Sequence, residues 1–523
     1  MNARMMHGFG FGLVMLCGLE LVRADDPSKV VPKYKLGPDT TFVMGPLDKD
    51  GYINFEAAVN ERLRGKITPE TNANVLLWQA IGPKNIGQEM HADYFGYLGV
   101  KPPADGGVYF IELKQHVPAK LDDDEGNEKF QRIESHIRSR PWTAKEFPAH
   151  AGWLSRNEKP LVKALEASKR PDYFNPLCSR DKDGKPGMLI GGLLLNLGKY
   201  RSVVQALATR AMLKLGEGKP DAAWDDLLAA HRLSRHIASG GCLIELMVGF
   251  AGESVTCAAD LAFIAHCGFN AEKLQACQKA LASLPAMSTQ GEKVTLAERI
   301  RFLDCVQAVR REGFDSVRDG SPKKLDAEQK RKLDLFDWEA VMKTGNGWYD
   351  RFAEASKHPT RSERHQKMER IEIDLLKMKA RLKDDQQIKQ LVKTLDPLLA
   401  KRISQKIGEL MIGLLAPAVM KIQDSTDRLE QQQRNLRIAF ALAAYHKETG
   451  QYPATLGDLS PKYLDKVPDD LFATKPLIYK PDDKGYLLYS VGENGMDDGG
   501  QAKDDNLQCD DLVIRMPLPP VRK

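Results

Sequence analysis

The stretch "CLIELMVGFAGESVTCAADLAFIAHC", residues 242–267, is apolar on nearly every side of a helical wheel. A helix of that kind has no face to give to water, so the chain needs other helices to surround it. The preceding residues supply two. "YRSVVQALATRAMLKLGEGKPDAAWDDLLAAHRLSRHIASGG", residues 200–241, predicts antiparallel helices joined by the "GEGKP" turn, with Ala, Leu and Trp224 at inward spacing.

This hairpin is similar to one tetratricopeptide unit, but its period does not recur, and a helical bundle is expected instead of a repeat array. Residues 290–400 are charged and helical. Met368, Ile371, Leu375, Met378 and Leu382 step by three and four, as do Ile388, Leu391, Leu395 and Leu398 beyond the "KDDQQ" break. Each set gives one apolar seam that packs on the neighbouring bundle. Residues 25–187 are mixed and loop-rich. "ITPETNANVLLWQAIGP" predicts a helix with Thr68 as N-cap, Pro69 at its first position and Gly82 at its end, and "GGVYFIEL" predicts a short strand. "DKDG" occurs at 48–51 and 181–184. Its glycine is misplaced for an EF-hand, which leaves two turns.

A 42% hydrophobic, 28% charged chain is globular, and 523 residues suffice for several domains. The formal net charge is +5. The segments "KRPDYFNPLCSRDKDGK" and "RSERHQKMER" interleave both signs, which argues against a nucleic-acid footprint. The opening "MNARMMHGFGFGLVMLCGLELVRADD" has the basic start, apolar run and small boundary residue of a secretory signal, with cleavage expected after Ala24. Glu20 and Arg23 interrupt the run short of a membrane span, and bulky Leu16 before Cys17 disfavours a lipoprotein. A periplasmic or secreted location follows, with no transmembrane span in the mature chain. Loss of residues 1–24 removes Arg4, Arg23 and Glu20, lowering the net charge from +5 to +4. It leaves Cys178, Cys242, Cys257, Cys267, Cys277, Cys305 and Cys509, mostly in apolar helical surroundings without any C-x-x-C, as buried thiols.

Candidate chemistry is sparse. Glu245, Glu253 and Asp260 lie on the apolar helix, and the last two, seven apart, share a face. They serve either as acid–base groups of an exported hydrolase or as ion-pair partners of Arg210, Arg232 or Arg235; the pairs are the commoner outcome. His231 and His236 project about 140° apart on a helix, poor geometry for one metal, so a surface or capping role is expected. There is no Glu-x-x-His, H-E-x-x-H, P-loop or dinucleotide fingerprint, and "GESVT", residues 252–256, lacks the closing glycine of a nucleophile elbow.

Residues 403–449 read as one long helix, with Pro417 as a kink and Gly450 as its stop. Ile422, Leu429, Leu436, Phe440 and Ala443 form its stripe. "LIYK", a "PDDKG" turn and "YLLYSVG" predict a hairpin, and "DLVIRM" a third strand on which that helix packs.

"AAYHKETGQYPATLGDL", "PLIYKPDDKGYLLYSVGENGMDDGG" and "DDLVIRM" together resemble the C-terminal half of the major pseudopilin of type II secretion systems. The similarity covers the last ~120 residues, under a quarter of the chain. It implies a long helix, a small sheet and a calcium-holding loop, with Asn494, Asp510 and Asp511 matching the ligands by order and Asp497 and Asp498 as extra acids. Oxygen donors on a glycine-rich loop suit Ca²⁺; a solvated acidic turn is the alternative. The expected fold is therefore mainly α: a helical bundle with a C-terminal α+β pseudopilin-like module. The expected domains are a signal peptide (1–24), a mixed region (25–187), a helical domain (188–401) and the module (402–523). The expected function is that of an exported, non-enzymatic binding or structural protein with protein partners, associated with secretion or cell-envelope assembly. The alternative is the exported hydrolase.

Overall fold

The computed structural model describes residues 30–117, 124–181, 183–192, 196–316, 325–384, 397–415, 419, 422–473 and 475–520. The expected signal segment, Pro417, Ile388, Leu391 and Leu395 lie outside the described residues. The chain is mainly helical, with one small sheet near its C-terminus.

The first half holds α1 (Phe55–Arg64), α2 (Ala73–Ile81), α3 (Gln88–Leu98), α4 (Leu113–His116), α5 (Asp124–Ser139), α6 (Pro148–Arg156) and α7 (Glu158–Ser168). The expected hairpin is α8 (Asn196–Gly216) and α9 (Pro220–Ser239), followed by the apolar α10 (Leu243–His266) and α11 (Ala271–Ala282). Then come α12 (Gln290–Lys293), α13 (Arg299–Glu312), α14 (Ala327–Leu333), α15 (Trp338–Ser356), α16 (Arg361–Asp384), α17 (Pro397–Leu415) and α18 (Ile422–Thr449). Local signals set several starts. Pro220 opens α9, and Glu245 reaches back to the Cys242 amide at 3.1 Å in a capping box that begins α10.

α10 is the hub, packing against α8, α9 and α18. Two apolar cores result. One joins α2, α8, α9 and the second half of α10 to Phe440, Leu442 and the sheet. The other joins α1, α13, α15, α16 and α17 to the first half of α10 and to Ile422 and Leu429 of α18. Met368, Ile371, Leu375 and Met378 are the buried seam of α16, as their spacing predicts. Both "DKDG" segments are turns, closed by Asp48 and Asp181 accepting backbone amides two and four residues on.

Two local expectations need correction. The helix expected from Thr68 begins four residues later, with Asn72 as its cap. Residues 71–74 are held by Asp172 and Phe174 instead: Asn72 Oδ1 accepts from the Phe174 amide at 2.9 Å and Nδ2 donates to its carbonyl at 3.0 Å. "GGVYFIEL" forms no strand. Its backbone is served by the Ala80 carbonyl and by the side chains of Asn157 and Trp153, so no partner strand is needed. The expected long helix from 403 is described as α17 and α18, whose junction lies outside the described residues; α17 packs on α15 and α16, and α18 packs on α10, α11 and the sheet.

The sheet has the order β1 (Ile478–Pro481), β2 (Tyr486–Ser490), β3 (Leu512–Met516), antiparallel throughout, with Tyr479 opposite Leu488 and Leu488 opposite Ile514. Tyr486, Leu488, Ile514 and Met516 turn into the first core. Gln431 and Asn435 of α18 tie its polar edge. Gln431 Nε2 donates to Asn435 Oδ1 at 2.7 Å, and Gln431 Oε1 accepts from the Leu471 amide at 2.7 Å.

Candidate functional site

The acidic loop between β2 and β3 holds itself closed. Asp510 Oδ2 accepts from the amides of Glu493 (3.0 Å) and Asn494 (3.1 Å), and Asp511 Oδ2 from the amide of Gly500 (2.7 Å). Asp498 Oδ2 takes the Asp510 amide at 3.0 Å and Asn494 Nδ2 at 3.1 Å. Asp497 Oδ1 accepts from the Tyr489 hydroxyl and the Gly499 amide, both at 2.9 Å, and the Gly499 amide draws its carboxyl below the usual carboxylate range. Gly492 sits at φ +68° with Asp510 packed against it, and a Cβ there would fall 2.4 Å from the Asp510 carbonyl. At Gly492 a glycine is required by close backbone approach, whereas Gly495 and Gly499 have open space beside them and serve the left-handed turns at φ +69° and +73°.

The structure thus brings all five expected residues to one loop, chiefly as caps. The four carboxylates among them do not form a converging set: of the histidine, cysteine and carboxylate groups among the described residues, only His231, Glu253 and Cys257 place three ligand atoms within 4.8 Å of one another. Two loop oxygens, Asp510 Oδ1 and Asp511 Oδ1, are nevertheless buried without a hydrogen-bond partner. Burial pushes the Asp511 carboxyl up. The sequence reading missed Asp470, which is buried and accepts from the Ser490 hydroxyl (2.8 Å) and the Val491 amide (3.0 Å). Nothing in "VPDDLF" marks one aspartate over its neighbour.

The second constellation lies between α9 and α10. Gly249 and Gly252 let the helices approach so closely that a Cβ at either would lie 2.5 Å from Ser234 atoms. Across this contact His231 is not at the surface, as its isolated spacing predicts, but 1% exposed between two carboxylates. Its Nε2 lies 2.7 Å from Asp260 Oδ2. Its Nδ1 lies 3.0 Å from Glu253 Oε2, but out of hydrogen-bond alignment, so both atoms are buried without a hydrogen bond. Glu253 Oε1 accepts from Arg235 Nη2 (3.1 Å) and Gln433 Nε2 (2.7 Å). Arg235 is thus the expected cationic partner; Arg210 is committed instead to Asp226 and Glu158.

Burial opposes charge on His231, yet Glu253 and Asp260 together outweigh it and hold the imidazolium up to about 10. Burial opposes charge on Glu253 as well, but His231 and then Arg235 draw it down to about 2. For Asp260 burial prevails over His231, and its carboxyl is raised. Glu245 is remote from the trio in role: it caps α10 and accepts from Asn175 Nδ2 at 2.7 Å, with burial raising its carboxyl.

A cleft of about 650 Å³ reaches this cluster from outside, between α11, α18 and residues 466–469. His231, Glu253 and Cys257 line its inner end, and exposed Arg437 and Lys466 line its rim. His236, the other histidine, stacks on Tyr173 away from the cluster, 6.3 Å between ring centres.

No family model, curated protein or solved structure matches the chain.

Proposed function

We propose that the chain is an exported binding or structural protein, with a pseudopilin-like end docked on a helical body and a secretion or cell-envelope assembly as its setting. The observation that supports a non-enzymatic role is the state of its acid–base candidates. Glu245, Glu253 and Asp260 are almost without exposure and are held by Asn175 and the Cys242 amide, by Arg235 and Gln433, and by His231. A general acid or base working near pH 7 needs the reverse. The partner surface in this reading is the cleft, whose rim offers Arg437 and Lys466 to a protein segment.

Calcium belongs to the same reading. Asn494, Asp497, Asp498, Asp510 and Asp511 are the residues that would hold it; the unpartnered Asp510 and Asp511 oxygens and an all-oxygen donor set support the fit. The ion would supply positive charge to a loop that hydrogen bonds already close. Replacement of Glu253 by Gln and Asp260 by Asn tests the scaffold reading: stability should change and partner capture at the cleft rim should persist. An activity of the purified chain that these changes abolish, with the fold intact, would make it the hydrolase. N-terminal sequencing of exported material should begin after Ala24; an intact Met1 sinks the export reading.

A further inference from the structure

Glu253 and Cys257 are one turn apart on α10, so their side chains leave the same face, and His231 meets them from antiparallel α9. The imidazole Nδ1, a Glu253 oxygen and Cys257 Sγ all lie within 4.8 Å of one another. Buried polar atoms are expected to be hydrogen-bonded. Here the two that face each other, His231 Nδ1 and Glu253 Oε2, are not, although 3.0 Å apart. That separation is what two ligands of one ion show, since bonds of about 2.0–2.1 Å at angles of about 90–110° put nitrogen and oxygen about 2.9–3.4 Å apart. The far ring nitrogen is anchored at 2.7 Å on Asp260, the carboxylate support that fixes a ligating imidazole. We propose that His231 Nδ1, Glu253 Oε2 and Cys257 Sγ bind a divalent transition metal of the zinc class, with the fourth position turned to the cleft.

The donor set chooses the class. One imidazole nitrogen, one carboxylate oxygen and one thiolate suit the borderline-soft Zn²⁺ and are foreign to Ca²⁺ or Mg²⁺. The charges also balance. Without metal, imidazolium and Arg235 offset Glu253 and Asp260. With metal, one M²⁺ displaces two protons, from Nδ1 and from the thiol; the thiolate, neutral imidazole, Arg235, Glu253 and Asp260 then again sum with the ion to zero. The buried cluster takes the ion without gaining net charge, which is what a low-dielectric site requires. This inference is independent of the scaffold reading and of the calcium loop.

The test uses the full, reduced chain stripped of metal and titrated with Co²⁺ as a spectroscopic probe. One equivalent should produce a thiolate-to-cobalt charge-transfer band that one equivalent of Zn²⁺ bleaches. Cys257→Ser should lose the band, and Cys305→Ser, in the other core, should keep it. Absence of the band in the unaltered chain, or its survival in Cys257→Ser, overturns the proposal. X-ray absorption of the zinc-loaded, unaltered chain needs no variant to fold: a shell with one sulfur among lighter donors supports the site, and none or several sulfurs overturn it.

Discussion

Asn435 Nδ2 donates to the Leu512 carbonyl at 2.9 Å, a buried bond that joins the middle of α18 to the start of β3. The same side chain accepts from Gln431, whose own oxygen holds the Leu471 amide. A chain of polar groups therefore crosses an otherwise apolar helix-to-sheet contact, and its members depend on one another.

Asn435→Ala should cost about 1–3 kcal/mol, because it takes the side-chain donor from the Leu512 carbonyl and the acceptor from Gln431 Nε2 in a buried site. Urea unfolding should show a lower midpoint at unchanged slope. A midpoint equal to that of the unaltered chain would show that water replaces the bond.

Gly249→Ala should separate α9 from α10, since its Cβ would meet the Ser234 carbonyl at 2.5 Å and backbone cannot rotate away. Overpacking of this kind costs about 1–3 kcal/mol. Gly347→Ala on α15, where a Cβ meets nothing within 4 Å, is the control and should stabilise slightly. Equal melting temperatures for the two variants would contradict the close approach.

Asp304 sets a pH dependence. Burial is the main cause raising its carboxyl to about 7, against the Leu189 amide that donates to it at 2.8 Å. A carboxyl raised in the folded state contributes its stability below the unfolded value, near pH 4, and loses it as pH rises through about 7. Asp304→Asn keeps an acceptor for Leu189 and removes the titration. It should melt above the unaltered chain at pH 8, by an amount on the order of 1–4 kcal/mol, with the gain gone near pH 4. A constant difference across that range would exclude Asp304 as the source.

If the acidic loop holds calcium, the full chain should melt higher in millimolar calcium than in chelator. The gain is about 2.7 kcal/mol at a hundredfold excess over Kd. Asp510→Asn with Asp511→Asn should erase the difference, and magnesium should substitute poorly because it keeps its waters. Identical melting with calcium and chelator would leave the loop closed by its hydrogen bonds alone.

The sequence made legible what local chemistry decides. The α8–α9 hairpin, the central α10, the "DKDG" turns, the Met368–Met378 seam and all three strands follow from period and punctuation. What escaped was decided by partners distant in the chain. Thr68 is a sound cap for an isolated helix, but Asp172 holds the backbone of Thr71 and Ala73, and Phe174 engages the Asn72 side chain. "VYFIEL" has strand composition, yet Asn157 and Trp153 occupy its hydrogen-bonding groups. His231 reads as a polar residue on a helix; only the α9–α10 register places it between Glu253 and Asp260. For the metal cluster the one local signal was Glu-x-x-x-Cys on an apolar helix, which is too short a pattern to speak without its histidine.

α18 enters both cores: Ile422 and Leu429 belong to one, Leu436 and Phe440 to the other, and the Phe440 ring meets Trp224 edge-on at 6.0 Å. A nascent chain that has left the ribosome only as far as Leu415 therefore lacks a wall of each core. α10 and α11 keep an open apolar flank until α18 packs on them. A single proteolytic nick that freed α18 would undo both halves at once.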